Sequence, residues 1–208
     1  VGSEMCIRDS VKGEGGYLML EVAKIRKDFP MLNGTKMHDQ PLIYFDNGAT
    51  TLKPQCVIDA VCNYLTNYSG NAHRGDYDLS HDVDVQFERT RELVSKFINC
   101  DSKEVVYTYG STDGLNLVAF GYGLTHLNEG DEVLITLAEH ASNTLPWFEV
   151  SKQTGSVVKY IDLDEDGRLT VENVIKAISD KTKIISIAQI TNVLGFDSPI
   201  TVSYTHLT

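Results

Sequence analysis

The amino-acid sequence predicts an α/β protein whose mostly parallel sheet has helices on both faces. The first observation is composition, since 42% hydrophobic and 23% charged residues lie in the range of ordinary globular domains. The second is that short apolar strands alternate with helical segments of about ten to fifteen residues after Cys100. The third is that the last of these strands, over residues 183–188, is too apolar to face water on one side.

The chain before Cys100 is predicted to be mainly helical. The spacing of Val22, Ile25 and Phe29 predicts a short amphipathic helix that ends before Pro30. A linker is expected to run from there to Gln40.

Two longer helices are predicted next. A brief extended segment over residues 43–45 leads into a turn-rich stretch over residues 46–51. Pro54 then fits the first turn of one helix, and residues 69–71 separate that helix from the other. The apolar positions expected to be buried recur at helical spacing in both. They are Val57, Ala60, Val61, Tyr64, Leu65 and Tyr68 in the first and Leu79, Val83, Phe87, Thr90, Val94 and Phe97 in the second.

Beyond Cys100 the pattern predicts four strands and three helices. The strands are expected over residues 105–108, 133–135, 157–161 and 183–188, and the helices over residues 112–124, 143–153 and 170–178. Because no further helix follows the last strand, we expect this sheet to be incomplete.

Net charge and cysteine usage narrow the function classes. Asp and Glu number 29 against 18 Lys and Arg, a net charge of −11 that repels nucleic-acid phosphates and anionic lipid surfaces. No apolar run approaches the ~18 residues that span a bilayer, so neither a nucleic-acid nor a membrane partner is expected. The 4 cysteines form no CxxC pair and no metal-ligand spacing with the 6 histidines, which indicates a reducing, cytoplasmic location and no metal site.

The two ends differ from the middle of the chain. Residues 1–18 are expected to be non-native, with an adaptor-like scar over residues 1–10 followed by a flexible leader or untranslated sequence read in frame. Residues 202–208 also resemble translated adaptor sequence, and Met19 is the expected native start. The alternative is that both ends are natural disordered tails. We therefore expect residues 19–201 to be the native part of the chain.

Three polar segments follow predicted strands, where the ligand crevice of a parallel α/β sheet lies. Ser111 and Thr112 open a helix whose N–H groups suit a phosphate, although the spacing alone favours Ser111 as a simple N-cap. His140 and Asn192 follow two further strands, and each alone reads as an ordinary loop residue. Together the three segments predict a site for a small anionic cofactor.

Five motifs occur in an order that resembles the pyridoxal-phosphate-dependent cysteine desulfurases of the class V aminotransferase superfamily, and most closely their SUF-system group. They cover residues 46–54, 71–75, 110–116, 139–147 and 191–195. The resemblance implies an incomplete, truncated large domain of the fold-type I transferase fold over residues 19–201. It also implies conversion of L-cysteine to L-alanine and an enzyme-bound persulfide for iron–sulfur cluster assembly, by a homodimer that passes sulfur to an acceptor protein.

The resemblance also assigns roles to individual residues. Ser111 and Thr112 would hold the phosphate of pyridoxal 5'-phosphate, and His140 would stack on its ring and assist proton transfer. Asn192 would bond the ring hydroxyl and lie near the substrate. The substrate side would be formed by Gly48, Ala49, His73 and Arg74.

The chain departs from the family pattern at several positions. Gly48 stands where relatives often have Ala, and Ala141 replaces a second histidine. The cofactor-anchoring lysine, the acidic partner of the ring nitrogen and the nucleophilic cysteine are expected beyond Thr201. Two alternatives stay open: another enzyme of the superfamily (a selenocysteine lyase, kynureninase or epimerase), and a non-catalytic phosphate-binding domain.

Overall fold

The computed structural model describes residues 10–13 and 16–200, so most of the expected non-native ends (residues 1–9, 14–15 and 202–208) lie outside it. The chain divides into two compact units, Val1–Val105 and Val106–Thr208. No helix in the described ranges is long and apolar enough to cross a membrane.

The first unit contains two small hairpins. Strands β1 (Ser10–Gly13) and β2 (Gly16–Met19) pair antiparallel, in contrast to the flexible leader expected there. Strands β3 (Lys36–Met37) and β4 (Gln40–Pro41) pair within the predicted linker. Their turn residues His38 and Asp39 have φ of 51° and 62°. Sequence patterns missed this hairpin because left-handed turns are usually signalled by Asn-Gly or Asp-Gly, not His-Asp.

Three helices complete the first unit. The predicted first helix is present as α1 (Val22–Ile25), extended by a 3-10 turn over Arg26–Asp28. Helix α2 (Gln55–Asn63) continues in a π-helical turn, Tyr64–Tyr68, and α3 spans Asp78–Ile98. These positions confirm the two predicted longer helices, whereas residues 43–45 form no strand.

The predicted burial of the α2 face is wrong within this unit. Val61 is 53% exposed and Leu65 is 65% exposed. No described part of this unit covers these two side chains, and an open cleft of about 330 Å³, lined by Tyr64, Tyr68 and Val83 among others, separates the neighbouring side of this helical segment from α3. Of the predicted α3 face only Val83 is buried, and Phe97 is 90% exposed.

The second unit is built on a parallel three-stranded sheet. Its strands are β5 (Glu132–Thr136), β6 (Val157–Ile161) and β7 (Thr182–Ile185), in the order β6-β5-β7. The connecting helices are α4 (Ser111–Val118), α5 (Leu124–His126), α6 (Ala141–Thr154) and α7 (Val171–Ala177), and a π-helical turn, Ala119–Gly123, joins α4 to α5. The predicted parallel sheet and its connecting helices are therefore confirmed.

Both faces of the sheet are covered by helices, as predicted. Every residue of β5 is buried, and its side chains alternate between two cores. Val133 and Ile135 pack with Trp147 and Val150 of α6, whereas Leu134 packs on the opposite face. The remaining residues of that second core include Ile161, Val174, Leu169, Ala177, Ile178, Ile185 and Ile187.

The strand predicted over residues 105–108 is wrong. These residues have an irregular backbone, and the ladders of the three-stranded sheet do not include them. Val105 is 6% exposed but Val106 is 64% exposed. An apolar run forms a strand only where a neighbouring strand pairs with it, and local sequence does not supply that neighbour.

A carboxylate fixes the amino-terminal end of the sheet. Glu132 is 5% exposed, and its Oε1 lies 2.5 Å from the Lys159 Nζ on β6. Its Oε2 accepts a hydrogen bond of 2.7 Å from the Ser179 hydroxyl, ahead of β7. The hydrogen bonds from Lys159 and Ser179 hold the pKa of the Glu132 carboxyl below its ordinary 4.5 against the opposing effect of burial.

We predict that Glu132→Gln makes the unfolding free energy less dependent on pH in acid. Because the folded-state pKa of Glu132 is lowered, its stabilisation is present above about pH 4.5 and is lost as pH falls through the folded pKa. Urea unfolding at neutral and acid pH, followed by the fluorescence of Trp147, measures the difference. A wild-type minus variant difference that stays constant across this range would contradict the prediction.

Candidate functional site

The carboxyl ends of β5 and β7 meet at the Glu139 side chain. Oε1 of Glu139 accepts hydrogen bonds of 3.0 Å from the Thr136 hydroxyl and 3.0 Å from the backbone N–H of Ala188, just beyond β7. Oε2 accepts a hydrogen bond of 2.7 Å from the Asn143 side-chain amide, in the first turn of α6. One carboxylate therefore connects two strand ends with the start of a helix.

Asn143 continues this network to β7. Its side chain is buried, with the residue 7% exposed. The amide nitrogen also donates to the carbonyl of Ser186 at 3.2 Å, and the amide oxygen accepts from the Ser186 hydroxyl at 2.6 Å. The first turn of α6 is thus held against the strand end by two side-chain contacts in addition to the Glu139 bond.

His140 is the N-cap of α6. Its ring Nδ1 accepts the backbone N–H of Ser142 at 3.1 Å and lies 2.7 Å from the Ser142 hydroxyl. A ring nitrogen that accepts an N–H carries no proton, so the geometry assigns the proton of the neutral imidazole to Nε2. The ring is exposed, which leaves its faces open to a planar ligand.

The start of α4 has the features of an anion site. Gly110 is the N-cap with φ of 141°, a conformation that favours glycine, and Ser111 and Thr112 open the helix. Ser111 as the N-cap is therefore wrong, and no side chain caps this helix. Among the described residues, none accepts from the backbone N–H groups of Ser111 or Thr112. Such N–H groups and the helix dipole favour a phosphate.

A cavity of about 220 Å³ lies between α4 and α6, and its lining does not include Ser111, His140 or Asn192. Thr112, Asn116 and Phe120 line it from the α4 side, and Ser142 and Glu149 are among the α6 residues. The structure therefore brings Thr112 together with the residue that fixes the His140 ring.

Asn192 lies in an exposed loop of the same unit. Ser198 N–H donates to Gln189 O at 2.6 Å, and Ile190 pairs with Asp197 in an isolated antiparallel bridge. The Arg168 guanidinium lies 4.3 Å from the Phe196 ring centre, which fixes the return of the loop. Thr191, only 7% exposed, is buried at its centre, and no described group bonds its hydroxyl.

The four predicted substrate-side residues belong to the first unit. Gly48 and Ala49 lie in a turn in which Ala49 N–H donates to Asp46 O at 3.2 Å. His73 has φ of 59°, and its ring nitrogens lie 3.5 Å from Asp84 Oδ1 and 3.6 Å from Glu88 Oε1. Arg74 is exposed beside it. These residues thus form two separate groups, a turn and a histidine between two carboxylates.

Sequence reasoning missed Glu139, Asn143 and Ser186 as functional positions. A signal was present, because Ser186 interrupts the apolar run of β7 and its continuation, and a buried polar side chain requires a partner. The partner is 43 residues away along the chain, which no periodicity reveals.

Comparison with known proteins places this chain in a family. Residues 43–204 match the family described as Aminotransferase class-V. Probable cysteine desulfurases from Halalkalibacterium halodurans and Synechocystis sp. are 42% and 40% identical over 178 residues, or 85% of this chain. The chain covers 44% and 42% of their lengths. An apo cysteine desulfurase from Thermococcus onnurineus superimposes with a TM-score of 0.78 at 32% identity, covering 88% of this chain and 44% of that one.

We predict that a different capping side chain can replace the His140 ring at the start of α6 with little loss of stability. His140→Ala removes the acceptor for Ser142 N–H and should lower the unfolding free energy by about 0.5–2 kcal/mol, the usual effect of losing an N-cap. His140→Asn keeps a capping oxygen and should retain most of the wild-type stability. Urea unfolding followed by Trp147, the only tryptophan and 3% exposed, measures both variants. Equal stability of wild type and the Ala variant would show that the cap contributes nothing.

Proposed function

This chain belongs to the class-V aminotransferase family, and we propose that it is part of a pyridoxal-phosphate-dependent cysteine desulfurase. The protein would convert L-cysteine to L-alanine while one enzyme thiol becomes a persulfide, so that every atom of the substrate is accounted for. The names of the relatives support this reaction, and the chain spans less than half of the lengths of the two relatives compared.

The observation that carries the proposal is that the starts of α4 and α6 place Thr112 and Ser142, the residue that binds the His140 ring, on one cavity. Open N–H groups at Ser111 and Thr112 fit a phosphate, and the exposed ring of His140 fits the face of a pyridine. The residues present therefore fit the cofactor. When bound, it supplies an electron sink for bond cleavage next to the substrate amine.

His140 would both hold and move a proton. Because Ser142 N–H occupies Nδ1, the proton available to the site is the one at Nε2. As a neutral imidazole the ring donates a hydrogen bond from Nε2 and offers its face for stacking. It accepts and returns a proton at Nδ1 once that nitrogen is released from the Ser142 N–H. Asn192 would donate its side-chain amide to the ring hydroxyl of the cofactor.

The remaining assignments extend the proposal to the substrate and its partners. Gly48, Ala49, His73 and Arg74 would form the substrate side, with the guanidinium of Arg74 suited to a carboxylate. We infer further that the full protein is a cytoplasmic homodimer that passes sulfur to an acceptor protein for iron–sulfur cluster assembly. The motifs that resemble the SUF-system group support this extension.

Thr112→Val should weaken cofactor binding more than it affects folding. The variant loses one hydroxyl bond to a charged phosphate, worth about 1.5–3 kcal/mol, or about 10- to 100-fold in affinity. Equilibrium dialysis of the chain against pyridoxal phosphate measures it. Thr125→Val is the matched control, since the Thr125 hydroxyl bonds only helix carbonyls and its neighbour His126. Equal losses in both variants would remove Thr112 from the phosphate site.

Activity of the complete protein tests the reaction itself. We expect L-cysteine to yield L-alanine and reducible sulfur in equal amounts. His140→Asn should keep the helix cap but lower turnover by about 100-fold or more, the usual contribution of an acid–base group. Turnover of L-kynurenine in place of L-cysteine would assign the chain to another enzyme of the same family.

A further inference from the structure

We propose that Glu139 is a positioning residue that holds His140 and the 188–192 segment in a fixed relation. The inference rests on the proposed function, because both groups are assigned to the same cofactor. Glu139 itself need not touch the cofactor, since its carboxylate oxygens already accept bonds from Thr136, Ala188 and Asn143.

The chemistry of the carboxylate suits this position. All three of its partners are donors, and an ionised carboxylate is the side chain that only accepts. An isosteric glutamine would direct its NH₂ group at another donor on one of the two sides. The network therefore distinguishes Glu from Gln, although the two differ little in size.

The link to His140 runs through the first turn of α6. Glu139 orients the Asn143 amide at 2.7 Å, and the backbone N–H of Asn143 donates to His140 O at 2.8 Å. Ser142, between them, donates its N–H to the His140 ring. If this turn moves, the ring loses the bond that fixes its tautomer and orientation.

The link to Asn192 runs through the backbone beyond β7. Glu139 accepts the N–H of Ala188, the residue at which the segment 188–192 begins. The next residue, Gln189, accepts the N–H of Ser198. Both ends of the Asn192 loop are therefore attached to the backbone at residues 188 and 189, whose position the bond to Glu139 fixes.

A reciprocal pair of substitutions tests the network. Glu139→Gln and Asn143→Asp each place like groups opposite one another at the contact between these two side chains. The double variant restores one donor facing one acceptor there and loses only the 3.2 Å bond from Asn143 to the Ser186 carbonyl. The double variant also restores the net charge. Glu139→Gln alone removes a negative charge, so long-range electrostatics would strengthen binding of an anionic cofactor. A weaker affinity in this variant therefore cannot be a charge effect.

The experiment compares these variants in the full chain by two readouts. Pyridoxal phosphate affinity is measured by equilibrium dialysis, and the His140 ring tautomer by ¹⁵N NMR without cofactor, assigned with His140→Asn. We expect each single variant to weaken affinity at least about tenfold, as when partners of metal-ligating side chains are removed. We also expect each to shift the His140 signals, and the double variant to regain most of both properties.

Glu132→Gln is the matched control. It alters a hydrogen-bonded carboxylate at the opposite end of the same strand and should change stability without changing affinity or the His140 signals. Trp147 emission shows whether each variant is folded. If a single variant is unfolded, a folded double variant with wild-type His140 signals supports the network, and a folded double variant without them contradicts it.

Two outcomes separate this inference from the proposed function. If the wild-type chain binds pyridoxal phosphate and the single variants show the same affinity and the same His140 signals, the role of Glu139 is overturned while the cofactor site stands. A wild-type chain that binds no pyridoxal phosphate would overturn the cofactor site, and the His140 signals would then decide whether Glu139 still fixes the ring.

Discussion

The three hydrogen bonds to the Glu139 carboxylate are the constraint on which the candidate site depends. A parallel sheet leaves backbone N–H groups unpaired where its ladders end, as at Ala188 beyond β7. The carboxylate accepts this N–H and, at its other oxygen, the amide of a residue in the next helix. One side chain thus pairs the free N–H group at a strand end and fixes where α6 begins. The position of α6 in turn determines where His140 and the α6 side of the cavity lie.

The central strand β5 carries a carboxylate network at each end, and the two have different consequences. Glu132 joins β6 and the approach to β7 at the amino end, far along the strand from the cavity. Glu139 joins β7 and α6 beyond the carboxyl end. The middle of the strand packs through apolar side chains, with Val133 and Ile135 on one face and Leu134 on the other. Burial therefore holds the sheet together, and polar networks set its ends.

Hydrophobic periodicity predicted the three paired strands of the second unit and the two longer helices of the first, but not the burial of the helix faces in the first unit. The limits of β6 were predicted to the residue, and those of β5 and α6 within two, because β6 pairs with β5 along its whole length and because β5 and α6 bury apolar side chains in one core of the same unit. The α2 face has the same kind of pattern, yet Val61 and Leu65 are exposed, because periodicity shows that a face is apolar and not what covers it. The Glu139 network was not predictable in this way, since its bonds to Ala188 and, through Asn143, to Ser186 join residues 49 and 43 apart.

The net charge of −11 argues against binding of a polyanion but says little about binding of a single phosphate group. Exposed charges are screened over about 8–10 Å at physiological salt, so the protein's overall charge acts mainly on large partners that approach along the surface. Binding of a phosphate at the start of α4 would depend on N–H groups within hydrogen-bond distance, where the helix dipole is also strongest. Glu149, an acidic residue that lines the cavity, forms an ion pair with Lys152, with 2.5 Å between its Oε1 and the Lys152 Nζ. An acidic protein can therefore hold an anionic cofactor, because binding depends on the local donors and not on the total charge.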